Sequence, residues 1–70
     1  MNRLAELRKK RGVSLNEMAS ELTRRSFRIT SMTISRYERG QREPNIHILI
    51  MIADYFNVSI DYLVGRSDVR

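Results

Sequence analysis

Apolar residues recur along this chain at helical spacing, in blocks divided by glycines and by Ser, Thr or Asn. Residues 2–11 set Leu4 and Leu7 three apart beside Ala5 in a charged segment, and Gly12 follows, which predicts a first helix. Leu15, Met18, Ala19 and Leu22 then fall at i, i+3, i+4 and i+7, one full helical face behind a Ser14/Glu17 capping box. From residue 23 to 31 the pattern lapses into TRRSFRITS, which reads as a long turn with Phe27 and Ile29 spaced for alternate burial. Thr30 caps a short, hydroxyl-rich helix over residues 31–39, with Ile34 and Tyr37 inside and Gly40 as its stop.

Asn45 caps a fourth helix, in which Ile46, Leu49, Ile50 and Ala53 form a stripe that Phe56 extends. A second stripe, Ile48, Met51, Ile52 and Tyr55, makes it apolar almost all round, as befits a helix that is central or covered by a partner. Beyond Asn57 and Val58, Ser59 caps a last short helix holding Ile60, Leu63 and Val64 and ending at Gly65. No strand pattern or repeat interrupts the series. The expectation is an all-α, compact five-helix domain over residues 1–65, with residues 66–70 a tail or the start of a linker.

Length and composition narrow the function. Seventy residues hold one domain, which buries only about 60% of its unfolded surface. There is no cysteine, residues 1–10 lack the apolar run of a signal peptide, and the apolar stretch at 46–53 is far short of a membrane span. A cytoplasmic protein without a membrane partner is expected. Gly12, Gly40 and Gly65 are far apart, there is no GK[ST], and His47 is the only histidine, so neither enzyme, metal site, cofactor nor small-molecule ligand is indicated. Thirteen Lys and Arg against eight Asp and Glu give a net charge of +5, which favours a polyanionic partner. The three Tyr and two Phe form no visible stacking platform for RNA.

A strong amphipathic helix, a turn and a short polar helix in that order hold the polar helix firmly with its outer face uncovered. A B-DNA major groove, about 12 Å wide, admits one such helix. The segments SLNEMASEL, TISRYERGQREP and LIMIADYFNVSIDYLVG resemble the Cro and lambda-repressor-type regulators, also called the xenobiotic-response-element family, over residues 4–65. The resemblance implies a lambda-repressor-like fold, with helices two and three as a helix-turn-helix. It also implies a bacterial or phage repressor that reads double-stranded DNA.

Carried over from that family, Ser31, Met32, Ser35 and Arg36 face base edges. Arg36 is the chief reader, since a guanidinium can bind guanine O6 and N7 together, and Met32 offers apolar contact to a thymine methyl. Arg39, Gln41 and Arg42, after the reading helix, map to phosphate contacts, as does the start of helix two. Leu15 stands there where the family often has glutamine, so Ser14, Asn16 or backbone N–H groups must substitute. Arg8 and Glu38 match a structural ion pair of the family.

The chief departure is about five extra residues, 23–27, between helices two and three. Such an insertion adds little closure entropy and leaves the fold alone. With its edge it brings Arg24, Arg25 and Arg28, expected on flanking phosphates, which together would steepen the slope of log affinity against log salt by roughly 2.7. Ile48, Met51 and Tyr55 mark a homodimer or partner face, consistent with a palindromic operator read by two copies. An antitoxin or anti-repressor whose main partner is another protein is the alternative. A regulator of this kind is expected on the nucleoid.

Overall fold

The computed structural model describes residues 2–25 and 28–70, and each predicted cap opens the helix it was assigned to. The helices are α1 (Leu4–Arg11), α2 (Leu15–Arg25), α3 (Ser31–Glu38), α4 (Ile46–Phe56) and α5 (Ile60–Leu63). At α2 the capping box is reciprocal: Ser14 N–H donates to Glu17 Oε1 at 2.9 Å, and Glu17 N–H donates to Ser14 Oγ at 3.0 Å. Thr30 Oγ1, Asn45 Oδ1 and Ser59 Oγ accept from the N–H of Thr33, Ile48 and Tyr62 at the starts of α3, α4 and α5. Each satisfies an N–H that the helix itself leaves unpaired, at about 0.5–2 kcal/mol per cap. Helix α1 closes on Gly12 and α4 on Asn57, both left-handed, which turns the chain out of each helix.

Met18, Leu22, Ile34, Ile52 and Leu63 are the most deeply buried large side chains, and they come from α2, α3, α4 and α5. Leu4 and Leu7 bring α1 onto the same cluster. One core therefore holds all five helices, and no polar or charged residue is buried among the described ones. Each such aliphatic side chain contributes about 1.5–3 kcal/mol, which is how so short a chain meets its entropy cost.

Two expectations need correcting. Helix α2 does not end at Leu22 but runs through Thr23, Arg24 and Arg25. All three are exposed, so no apolar repeat records this extra turn; arginine is a good helix former and its charge suits the negative end of the helix. Thr23 then fastens the turn: its Oγ1 accepts from Ile29 N–H at 3.2 Å and donates to Ile29 C=O at 3.3 Å. Ile29 is buried as expected, whereas Phe27 lies outside the described residues.

The second correction concerns α4. Met51 and Tyr55, expected on a partner face, are only 8% and 4% exposed within this chain. The Tyr55 ring is covered by the Arg11 guanidinium, 4.7 Å from its centroid, and by Arg25 at 5.2 Å, while its hydroxyl donates to Glu21 Oε1. Only Ile48 of the three is partly open. Ile46 and Ile50, of the first stripe, are the exposed residues. Arg11 of α1 and Glu21 and Arg25 of α2 thus claim the flank of α4 that looked free.

Residues 66–70 fold back on the body. Arg3 Nη2 pairs with Asp68 Oδ1 at 2.8 Å, and Arg70 C=O accepts from Ser59 N–H at 2.9 Å.

Candidate nucleic-acid interface

Helix α3 stands on α2 by its buried Ile34 and Tyr37, which turns the opposite edge outward. Along that edge Met32 and Arg36 are exposed and Ser31 and Ser35 half-buried, so the four residues assigned to base reading lie on one side. Arg36 Nη2 donates to Met32 Sδ at 3.6 Å, one helical turn away. The mount is fixed at both ends. Thr30 caps the start, and near the finish Tyr37 C=O accepts from Asn2 Nδ2 at 2.9 Å. Gly40 leaves α3 with φ of 71°, and Gln41 N–H returns to Arg36 C=O at 2.9 Å. Arg39, Gln41 and Arg42 are then exposed just past the helix end, two of them cationic.

Behind α3, Arg8 Nε donates to Glu38 Oε2 at 2.6 Å and its Nη2 to Oε1 at 3.3 Å. The two side chains are only 14% and 10% exposed, and Arg8 Nη1 also donates to Val13 C=O at 3.1 Å. The hydrogen bond to Glu38 outweighs burial and holds the Arg8 guanidinium above its ordinary pKa. This planar fork ties α1 and the α1–α2 turn to the end of α3, so the outward edge of α3 is oriented by the body of the domain.

At the start of α2, Ser14 is committed to the capping box, and Asn16 is the exposed side chain beside it. Hydrogen bonds from the Ser14 backbone and then from its side chain hold the Glu17 carboxyl below the usual glutamate range, against a smaller opposing effect of burial. A carboxylate therefore sits at the positive end of this helix, which it stabilises.

The three arginines of the insertion are all exposed but part company. Arg24 borders a shallow, open groove with Asn16, Ser20, Thr23 and Ile29, the last immediately preceding the α3 cap. Asn16, Ser20 and Arg24 are spaced i, i+4, i+8, a polar stripe along α2. Arg25 instead stacks over Tyr55, toward α4. Arg28 lies in the turn itself.

Tyr55 was the centre that sequence reasoning missed. Burial, then the hydrogen bond to Glu21, push its phenol pKa up, while Arg11 acts the other way. Arg11 Nη1 also donates to Tyr55 C=O at 2.6 Å. The partners lie 34 and 44 positions away, beyond any spacing rule.

The helix-turn-helix family model matches residues 4–63. The chain is similar to the HTH-type transcriptional regulator AnsR of Bacillus subtilis (strain 168), 41% identical over 67 residues, covering 96% of this chain and 53% of the relative. It is similar also to the HTH-type transcriptional regulator ImmR of the same organism, 37% identical over 67 residues, covering 96% of this chain and 49% of the relative. The chain thus spans about half the length of the curated relatives it matches. No solved structure matches it.

Proposed function

The chain belongs to the helix-turn-helix family, and from that membership we propose that it is a sequence-specific transcriptional regulator which lays the outer edge of α3 in the major groove of double-stranded DNA. The observation that carries the reading is the exposed Met32 and Arg36 edge, backed by buried Ile34 and Tyr37 and held by the Arg8–Glu38 fork. Arg36 reads guanine, Met32 a thymine methyl, and Ser31 and Ser35 adjoining edges. Arg39, Gln41 and Arg42 hold phosphates at one end of the helix. Asn16, Arg24 and Arg28 hold them at the other, with Ser14 contributing through the α2 start.

Repression of a promoter on the nucleoid follows in this reading from occupying an operator. Two copies on a palindromic site are part of the same proposal, since one such domain covers about half an operator. Ile46 and Ile50, with Ile48 beside them, are the exposed apolar residues of α4 that such pairing would use. The relatives are named as transcriptional regulators, which favours DNA over a protein as the main partner of this chain.

Selection of bound duplexes from random DNA at a stated salt concentration tests the reading. The expected result is an enriched motif with half-sites about one helical turn, roughly 34 Å, apart. Retention of duplexes without any enriched motif would overturn it.

A further inference from the structure

We propose that Met32 is an oxidation-sensitive site, and that peroxide conversion of its thioether to the sulfoxide releases the chain from its specific DNA sequence. The inference rests on the reading of α3 given above.

The described residues include Met18, Met32 and Met51, in sharply different settings. Met18 is 0% exposed and Met51 8%, both inside the core, whereas Met32 is 61% exposed. A thioether reacts through a sulfur lone pair, so access governs its rate and no deprotonation is needed. The lone pair attacks one oxygen of hydrogen peroxide, the O–O bond breaks as an S–O bond forms, and the second oxygen leaves as water after proton transfer. Sulfur loses two electrons and the peroxide gains them.

The place of Met32 gives this reaction an effect. Its sulfur already accepts from Arg36 Nη2 at 3.6 Å, a long contact to a weak acceptor that leaves the guanidinium free to turn toward a base. A sulfoxide oxygen is a far stronger acceptor in the same place. It holds Arg36 within α3, in competition with guanine O6 and N7, and puts a polar group where apolar contact with a thymine methyl was made. Both changes fall on base reading. Exposed Arg24, Arg28, Arg39 and Arg42 are untouched, so attraction to phosphate persists.

The test uses the chain, hydrogen peroxide, a duplex selected from random DNA and a scrambled duplex of the same length. Peptide mapping is expected to find Met32 oxidised well before Met18 and Met51. Affinity for the selected duplex should then fall about tenfold or more, the loss of one bidentate arginine–guanine pair, with affinity for the scrambled duplex unchanged. Methionine sulfoxide reductase should restore it. Met32→Leu, whatever its starting affinity, should show no change with peroxide, and Met32→Gln should resemble the oxidised chain.

Equal oxidation of the three methionines, unchanged selected-duplex affinity at full Met32 oxidation, or an equal peroxide effect on Met32→Leu would each overturn this inference and leave the reading of α3 standing. Failure of the untreated chain to prefer any selected duplex would overturn both.

Discussion

The split among the inserted arginines gives the sharpest test of the interface. Arg24 faces the groove beside α3 and Arg28 lies in the turn, whereas Arg25 covers the Tyr55 ring at 5.2 Å. Each phosphate contact adds about 0.9 to the slope of log affinity against log salt, so it multiplies the affinity lost between 50 and 200 mM salt by about 3.5. Arg24→Ala with Arg28→Ala should therefore flatten the slope by about 1.8, making DNA binding about twelvefold less sensitive over that range. Arg25→Ala should leave the slope alone and lose a stacked cation, about 0.5–1 kcal/mol of stability. In a domain of this size that lowers the melting midpoint by about 2–8 °C. Fluorescence anisotropy on a labelled duplex across a salt series, with thermal unfolding of each variant, reads both quantities. An unchanged slope in the double variant would remove these arginines from the interface. A flatter slope in Arg25→Ala with an unchanged midpoint would refute the assignment of Arg25 to the body of the domain.

Further outcomes follow from the same geometry. Glu38→Ala leaves the largely buried Arg8 without its partner and should cost about 3 kcal/mol in urea unfolding, much of it regained when Arg8→Met is added. Met51→Ala should cost about 2–5 kcal/mol without changing the concentration dependence of DNA binding, because Met51 fills the core and not a partner face. Glu17 has a folded pKa below its unfolded value, so its stabilisation is present above the ordinary value of about 4.3 and lost as pH falls through the lower folded value. Urea midpoints measured across that acid window should vary less with pH in Glu17→Gln, which keeps the geometry without the titration. Arg36→Ala should relax preference at one base position by about 1–3 kcal/mol and leave affinity for unrelated duplexes nearly unchanged, as read by selection with the variant.

Much of the fold was legible because caps and apolar spacing agree: Ser14, Thr30, Asn45 and Ser59 each open a helix whose inner face follows at helical intervals. The end of α2 was hidden because Thr23, Arg24 and Arg25 continue the helix without burying anything, and hydrophobic periodicity records only burial. The face of α4 was hidden for the opposite reason. A helix apolar on nearly every side has no single phase, so its neighbours decide that Met51 and Tyr55 go in and Ile46 and Ile50 stay out. In the interface, the resemblance placed Arg8 against Glu38 across 30 positions. The stacking of Arg11 and Arg25 on Tyr55 had no local signature, being a contact between elements that meet only in the folded chain.

The Thr23 clasp on Ile29 has a consequence for how such a domain can diverge. It fixes Ile29 just ahead of the α3 cap, so the length and charge of the intervening sequence can change without shifting the start of α3. Variation there retunes how strongly a descendant holds DNA under a given ionic condition while the sequence it prefers is inherited intact. Grip and vocabulary can thus evolve on separate schedules within one small motif.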